Sequence, residues 1–253
     1  MITINDVLEK LKYLKLNSAY NHLKELNLAS EISQEELNGI NKVISNEVEA
    51  KEQNNRLYNV KVAAFPFVKT IEDYDFRFQP SIKEENIKNI INSGFYEEAS
   101  NILFIGNPGT GKTHLSIAIG YEVAIKRNSV YFIKFNKLIN LLLKAYQEGL
   151  LEKKIRHYFK YKLLIIDEIG FNEISPLEAK LFFQLIDLRY EKRSTIITSN
   201  ISFEKWAEIL GKDEMITKAI LDRLLHHSYL FNITGPSYRI KDKLKIKHKS
   251  EES

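Results

Sequence analysis

The chain has no cysteine among its 253 residues, which excludes disulfides and thiolate zinc sites. Its six histidines are scattered, with no spacing that marks a metal site. No apolar run approaches the ~18 residues of a membrane span. The opening MITINDVLEKLKYLK carries Asp, Glu and Lys too early and too often for a secretory leader. There is no internal repeat, and no low-complexity tract beyond the basic C-terminal end. A soluble, cytoplasmic protein with no membrane partner is expected. What is present is ordinary in proportion: 44% apolar and 28% charged residues, enough chain for one α/β domain and a small appendage.

Net charge is only +4, but it is unevenly placed. From Lys126 to Lys162 ten Lys or Arg face two Glu, interleaved with Tyr131, Phe132, Phe135, Tyr146, Tyr158, Phe159 and Tyr161. From Arg239 to Lys249 six Lys or Arg face one Asp, so the remainder is net acidic. Clustered positive charge with aromatics can bind a phosphate backbone by releasing counterions. It can equally be a solvated face over core rings.

Residues 1–63 read as a helical N-terminal domain. Ser33 and Glu36 form a capping box, followed by Leu37, Ile40, Val43 and Ile44 at helical spacing. Val7, Leu8, Leu11 and Leu14 make an earlier stripe, and SAYNHLKELNL a further short helix. Residues 64–81, with Pro66, Pro80 and several aromatics, read as an extended aromatic linker. Over 82–240, the strand-like NILFI, SVYFIKF, YKLLIID, RSTIITSN and SYLFNIT alternate with helical stretches. That is the pattern of an α/β core, a parallel sheet flanked by helices. Ser175 and Glu178, with Pro176 between them, form a second capping box. Residues 241–253 are a basic tail.

The stretch GNPGTGKTH carries the chemistry. Gly106, Asn107, Pro108, Gly109, Thr110, Gly111, Lys112 and Thr113 fit G-x-x-x-x-G-K-[ST] between a strand and a helix, with His114 next. Glycines let backbone amides close on phosphate at a helix N-terminus, Lys112 reaches the β- and γ-phosphates of ATP, and Thr113 ligates Mg2+. Asp167 ends a buried strand, where a metal-bridging carboxylate belongs, and Glu168 beside it can activate water. GTP switches read guanine through N-K-x-D, and neither N-K pair here is followed by that Asp. Asn200 ends TIITSN, at the tip of the strand beside the phosphate strand, where it can orient water. Arg223 lies on the polar side of a helix, free to reach a neighbouring subunit, and Arg239 just follows the last strand.

Together, FPFVKTIEDYDF, GNPGTGKTHLSIAIGYEVA, LLIIDEIG, STIITSN, ILDRLLHHS and GPSYR resemble, in order and spacing, the IstB-like transposition helpers of bacterial insertion sequences. These form the DnaC/IstB branch of the AAA+ ATPases. The resemblance implies that Arg223 is an arginine finger acting in trans within a homo-oligomer. It likewise makes Arg239 a cis sensor and Asn200 the first sensor, and puts the segment around Tyr74 and Phe76 near adenine. It places a DNA-contacting helical insertion at 134–160, with Lys134, Lys137, Lys144, Lys153, Lys154 and Arg156 as candidates. Only 53 residues follow Asn200, so no separate C-terminal lid is expected. The function implied is a hydrolytic ATPase that oligomerises on double-stranded DNA and recruits a transposase. A DnaC-type loader partnered with a replicative helicase is the alternative.

Overall fold

The computed structural model describes residues 2–240, so the basic tail over 241–253 lies outside the described residues. The chain divides into two compact units, Met1–Tyr58 and Asn59–Ser253. The first unit contains α1 (Ile4–Leu14), α2 (Asn17–Leu28) and most of α3 (Gln34–Val62). Its small core gathers Val7, Leu11, Leu23, Leu37 and Ile44, the apolar positions that the helical spacing selects. Thr3 caps α1 through Asp6, and Ser33 opens α3 through Glu36, each pair reciprocal. At 29 residues α3 is far longer than its apolar stripe, which fades after Val48 into a polar run.

In the second unit, α4 (Glu84–Ser93) precedes β1 (Asn101–Gly106), α5 (Lys112–Ile125), β2 (Val130–Lys134), α6 (Phe135–Gln147) and α7 (Leu151–Phe159). Then come β3 (Leu163–Ile169), α8 (Pro176–Arg189), β4 (Ser194–Ser199), α9 (Trp206–Ile209), α10 (Glu214–Leu225) and β5 (Ser228–Ile233). The five strands run parallel in the order β2-β3-β4-β1-β5. Core residues line both faces: Ile102, Phe104, Leu163 and Ile165 belong to one cluster, Leu103, Leu164, Ile166 and Ile197 to the other. This two-sided burial is why YKLLIID reads as a continuous apolar run. Ser175 and Pro176 start α8 as the capping box requires.

Residues 64–81 form turns without helix or strand, yet Ile71 and Tyr74 are buried in the core. The aromatics of the basic stretch divide. Phe132, Phe135 and Tyr158 are core residues, whereas Tyr146 is 49% exposed. Among the described residues no helix is long and apolar enough to cross a membrane.

Candidate active site

The loop between β1 and α5 takes its shape from contacts on three sides. Gly109 and Gly111 have φ of 81° and 94°, left-handed values that glycine adopts without penalty. A Cβ at Gly106 would strike the Ile233 carbonyl, and one at Gly109 the Ser237 hydroxyl. At Gly111 it would come within 2.6 Å of the Tyr74 ring. The Tyr74 hydroxyl donates to the Thr110 carbonyl at 3.2 Å, and the Tyr238 N–H to the Gly109 carbonyl at 2.8 Å. Over the loop lies a cavity of about 320 Å³, lined by Pro108 to His114, Glu168, Thr198, Asn200 and Arg239, with rings from Phe67, Tyr74, Phe171 and Tyr238. Phosphate amides at one end and aromatic surface around it suit a nucleotide.

Lys112 is 5% exposed, its ammonium donating to the Gly106 and Asn107 carbonyls at 2.7 and 2.8 Å. Burial pushes it down to about 8, against the pull of Asp167, while Arg239 depresses it further. Asp167 lies beneath the cavity. Its Oδ1 accepts from the Thr113 hydroxyl at 2.8 Å and the Thr198 hydroxyl at 2.6 Å. Burial raises its pKa, and those two donors oppose the rise. Its Oδ2 is buried with no hydrogen-bond partner. An orphaned carboxylate oxygen beside a threonine hydroxyl is the oxygen donor set that Mg2+ takes, so these residues fit the ion.

On a regular strand Glu168 would face away from Asp167. Here β3 slips register against β4 between Ile166 and Ile169, and Glu168 adopts φ 67°. A left-handed non-glycine residue costs roughly 1–3 kcal/mol, a cost typical of functional positions. The Thr198 hydroxyl holds it there, accepting from the Glu168 N–H at 2.8 Å while donating to Asp167. The result is a carboxylate at the cavity wall, ion-paired to Lys134 Nζ at 2.7 Å. Register explains the partner: Lys134 on β2 stands opposite Asp167.

Asn200 directly follows β4, its N–H bound to the Ile169 carbonyl at 3.2 Å, and lines the cavity. Arg239 reaches the same wall from the turn after β5. Gln79 Nε2 secures that turn at the Pro236 carbonyl (2.6 Å), and Tyr238 secures it at Gly109. Arg223 is elsewhere. Asn101, at the start of β1, bonds the Leu224 carbonyl at 3.1 Å, whereas the phosphate loop leaves the other end of that strand. Five strand steps of ~3.3 Å separate them by about 17 Å. Nor is Arg223 free in the single chain: it donates to Asp187 Oδ1 at 2.6 Å and the Ala219 carbonyl at 3.0 Å, with its guanidinium 4.7 Å from the Phe183 ring.

Of the basic candidates, Lys137, Lys144, Lys153 and Arg156 are exposed on α6 and α7, Arg156 paired to Glu152 and Lys144 to Glu148. Lys154 sits over the Tyr158 ring, and Lys134 serves Glu168. Sequence reasoning missed Thr198, although a threonine inside the apolar run TIIT was a signal. It also missed Gln79 and Asp187, for which no local signal exists.

With β4 wedged between the loop strand and the acidic strand, the sheet brings Asn200 between the phosphate cradle and the Asp167–Glu168 pair. That is the core of an AAA+ nucleotide-binding protein. The family described as IstB-like ATP binding protein matches residues 6–246, and the chain belongs to it. A putative ATP-binding protein of insertion sequence IS232 from Bacillus thuringiensis subsp. berliner is 48% identical over 235 residues, 92% of this chain and 93% of the relative. The corresponding protein of IS21 from Pseudomonas aeruginosa is 45% identical over 186 residues, 74% of this chain and 70% of the relative. Among solved structures, a DnaC helicase loader superposes with a TM-score of 0.51 at 28% identity, covering 59% of this chain and 87% of that one.

Proposed function

We propose that this protein is an ATP-hydrolysing regulator of transposition that assembles on double-stranded DNA and recruits and stimulates a partner transposase. The observation that carries the reading is the likeness, across nearly the whole chain, to ATP-binding proteins of insertion sequences. The site supplies the chemistry. Loop amides and Lys112 bind the triphosphate, and Thr113 with Asp167 would hold Mg2+, which when bound offsets phosphate charge. Glu168 takes the proton of the attacking water, Asn200 orients that water, and Arg239 meets the γ-phosphate from the same chain. Arg223, on the helix end held at the far end of β1 from its own loop, serves the nucleotide of the next subunit. Nucleotide therefore joins subunits and hydrolysis loosens them. Lys137, Lys144, Lys153, Lys154 and Arg156 on α6 and α7 offer cations to the DNA backbone, and release of the DNA's counterions makes that contact salt-sensitive.

The test is light scattering on wild type and Glu168→Gln, with ATP and Mg2+, with and without duplex DNA. Large ATP-dependent assemblies on DNA that persist in the variant are expected. A chain that stays monomeric with duplex and enlarges only when a replicative helicase is added would move the assignment to a loader, the reading that the DnaC likeness favours.

A further inference from the structure

Away from the nucleotide cavity, the fold brings together three side chains that the sequence scatters. Glu191 follows α8, and His226 and His227 close α10. Glu191 Oε1 lies 3.5 Å from His226 Nδ1 and 3.8 Å from His227 Nε2, and one ligand atom from each residue falls within 4.8 Å of the others. The two imidazole rings are 4.2 Å apart between centroids. All three side chains are exposed, but the backbone beneath them is fixed. The His226 N–H bonds the Asp222 carbonyl at 3.1 Å, and the His227 carbonyl accepts from the Asn101 N–H at 2.7 Å. Two residues before Glu191, the buried Arg189 bonds Thr195 and the carbonyls of Tyr158, Tyr161 and Ser194.

As plain ion pairs such exposed contacts contribute only ~0–1 kcal/mol, and two protonated rings this close repel. As neutral rings they offer two nitrogen lone pairs beside a carboxylate, the donor set of three-ligand zinc sites. Imidazole also separates zinc-like ions from Mg2+ and Ca2+, which prefer oxygen. We propose that Glu191, His226 and His227 bind a divalent transition ion of the Zn2+ class, leaving one coordination position open. Bonds of ~2.1 Å in a tetrahedron place donor atoms about 3.4 Å apart. The Glu191–His226 pair already meets that spacing, Glu191–His227 exceeds it by about 0.4 Å, and the two histidine nitrogens close by at most about 1.4 Å through side-chain rotation. The ion ties the end of α8 to the end of α10, three residues beyond Arg223. It also competes for His226 Nδ1 with the Tyr190 hydroxyl, 2.9 Å away, whose ring flanks the Arg223 guanidinium at 5.9 Å. The site is thus distinct from the Thr113–Asp167 pair at the other end of β1.

Untagged full-length protein, held in millimolar Mg2+, is titrated with Co2+ while visible absorption is recorded, and with Zn2+ by calorimetry. One equivalent per chain is expected, with the intense visible bands of a low-coordinate cobalt ion. His226→Ala, His227→Gln and Glu191→Gln should each weaken binding about tenfold or more, while His157→Ala, outside the cluster, leaves it unchanged. Metal-free melting and nucleotide binding establish that each variant is folded, and the two glutamine variants keep the polarity of the site. Binding that none of the three variants weakens, that His157→Ala weakens equally, or that Mg2+ abolishes overturns the proposal.

Discussion

Nucleotide binding must change the proton balance of Lys112. In the free protein its ammonium is buried against loop carbonyls and titrates at about 8 rather than at the ordinary 10.5. A triphosphate in the cradle brings negative charge into contact and favours the protonated form. At pH 7 the free chain carries about nine-tenths of that proton, and binding takes up only about 0.1. Between pH 8 and 10.5 the free side chain is losing it, and binding must restore it. At pH 8.5 the free lysine is about three-quarters neutral, so each nucleotide bound draws in about 0.75 proton. By pH 9 the apparent affinity is about tenfold weaker than at pH 7. The nucleotide itself stays silent there, because its terminal phosphate titrates near 6. The same displacement burdens the free fold below pH 8 and relieves it as pH rises towards 10.5. Calorimetric titration with Mg-ATP at pH 7.0 and 8.5, each in two buffers of unlike ionisation enthalpy, reads the uptake directly. Equal enthalpies in both buffers at pH 8.5, together with an affinity flat from pH 7 to 9.5, would refute the reasoning.

Thr198→Val removes the hydroxyl that serves both Asp167 and the Glu168 N–H. The charge-assisted bond is worth about 1.5–3 kcal/mol, and the melting temperature should fall by roughly 4–8 °C. The deficit should narrow as pH falls, because burial raises the pKa of Asp167 and so lets it protonate before an ordinary aspartate would and dispense with a donor; a pH-independent deficit contradicts this. Lys134→Ala frees the Glu168 carboxylate from a half-exposed ion pair. Basal turnover should then rise by no more than about fivefold, the equivalent of ~1 kcal/mol, and a fall would instead make Lys134 a positioning group. Arg223→Ala and Lys112→Ala should each abolish turnover alone. Mixed together they should regain part of it, since an intact cradle then meets an intact finger, and no regain would sink the trans assignment.

Local rules carried much of this fold and site. The two capping boxes, the phosphate loop and Asp167 each depend on residues a few positions apart, where spacing alone fixes geometry. The strand sequence YKLLIID announced its place inside the sheet by having no polar side. What escaped was everything set by register between distant segments. Lys134 reads as one more basic residue until the β2–β3 pairing places it beside Glu168. Arg223 lies on the polar side of its helix, but Asp187, 36 residues earlier, occupies it. The same holds for Glu191 and the histidine pair. The length of α3 was hidden for another reason: beyond Val48 its residues are polar, so no stripe announced the helix.

If Arg223 serves the nucleotide of the next copy, as proposed, its place at the far end of β1 from the phosphate loop gives the chain a direction. Copies that each serve the next one in a row add head to tail, a heterologous contact that repeats without being its own mirror. An open row of such copies has unlike ends: one terminal chain holds ATP that no finger reaches, the other offers a finger to nothing. In such a row every joint would hold an ATP that a finger reaches, and the ATP left unspent would be the one at the tip, where it keeps that chain ready for the next copy. A closed ring would have no such tip.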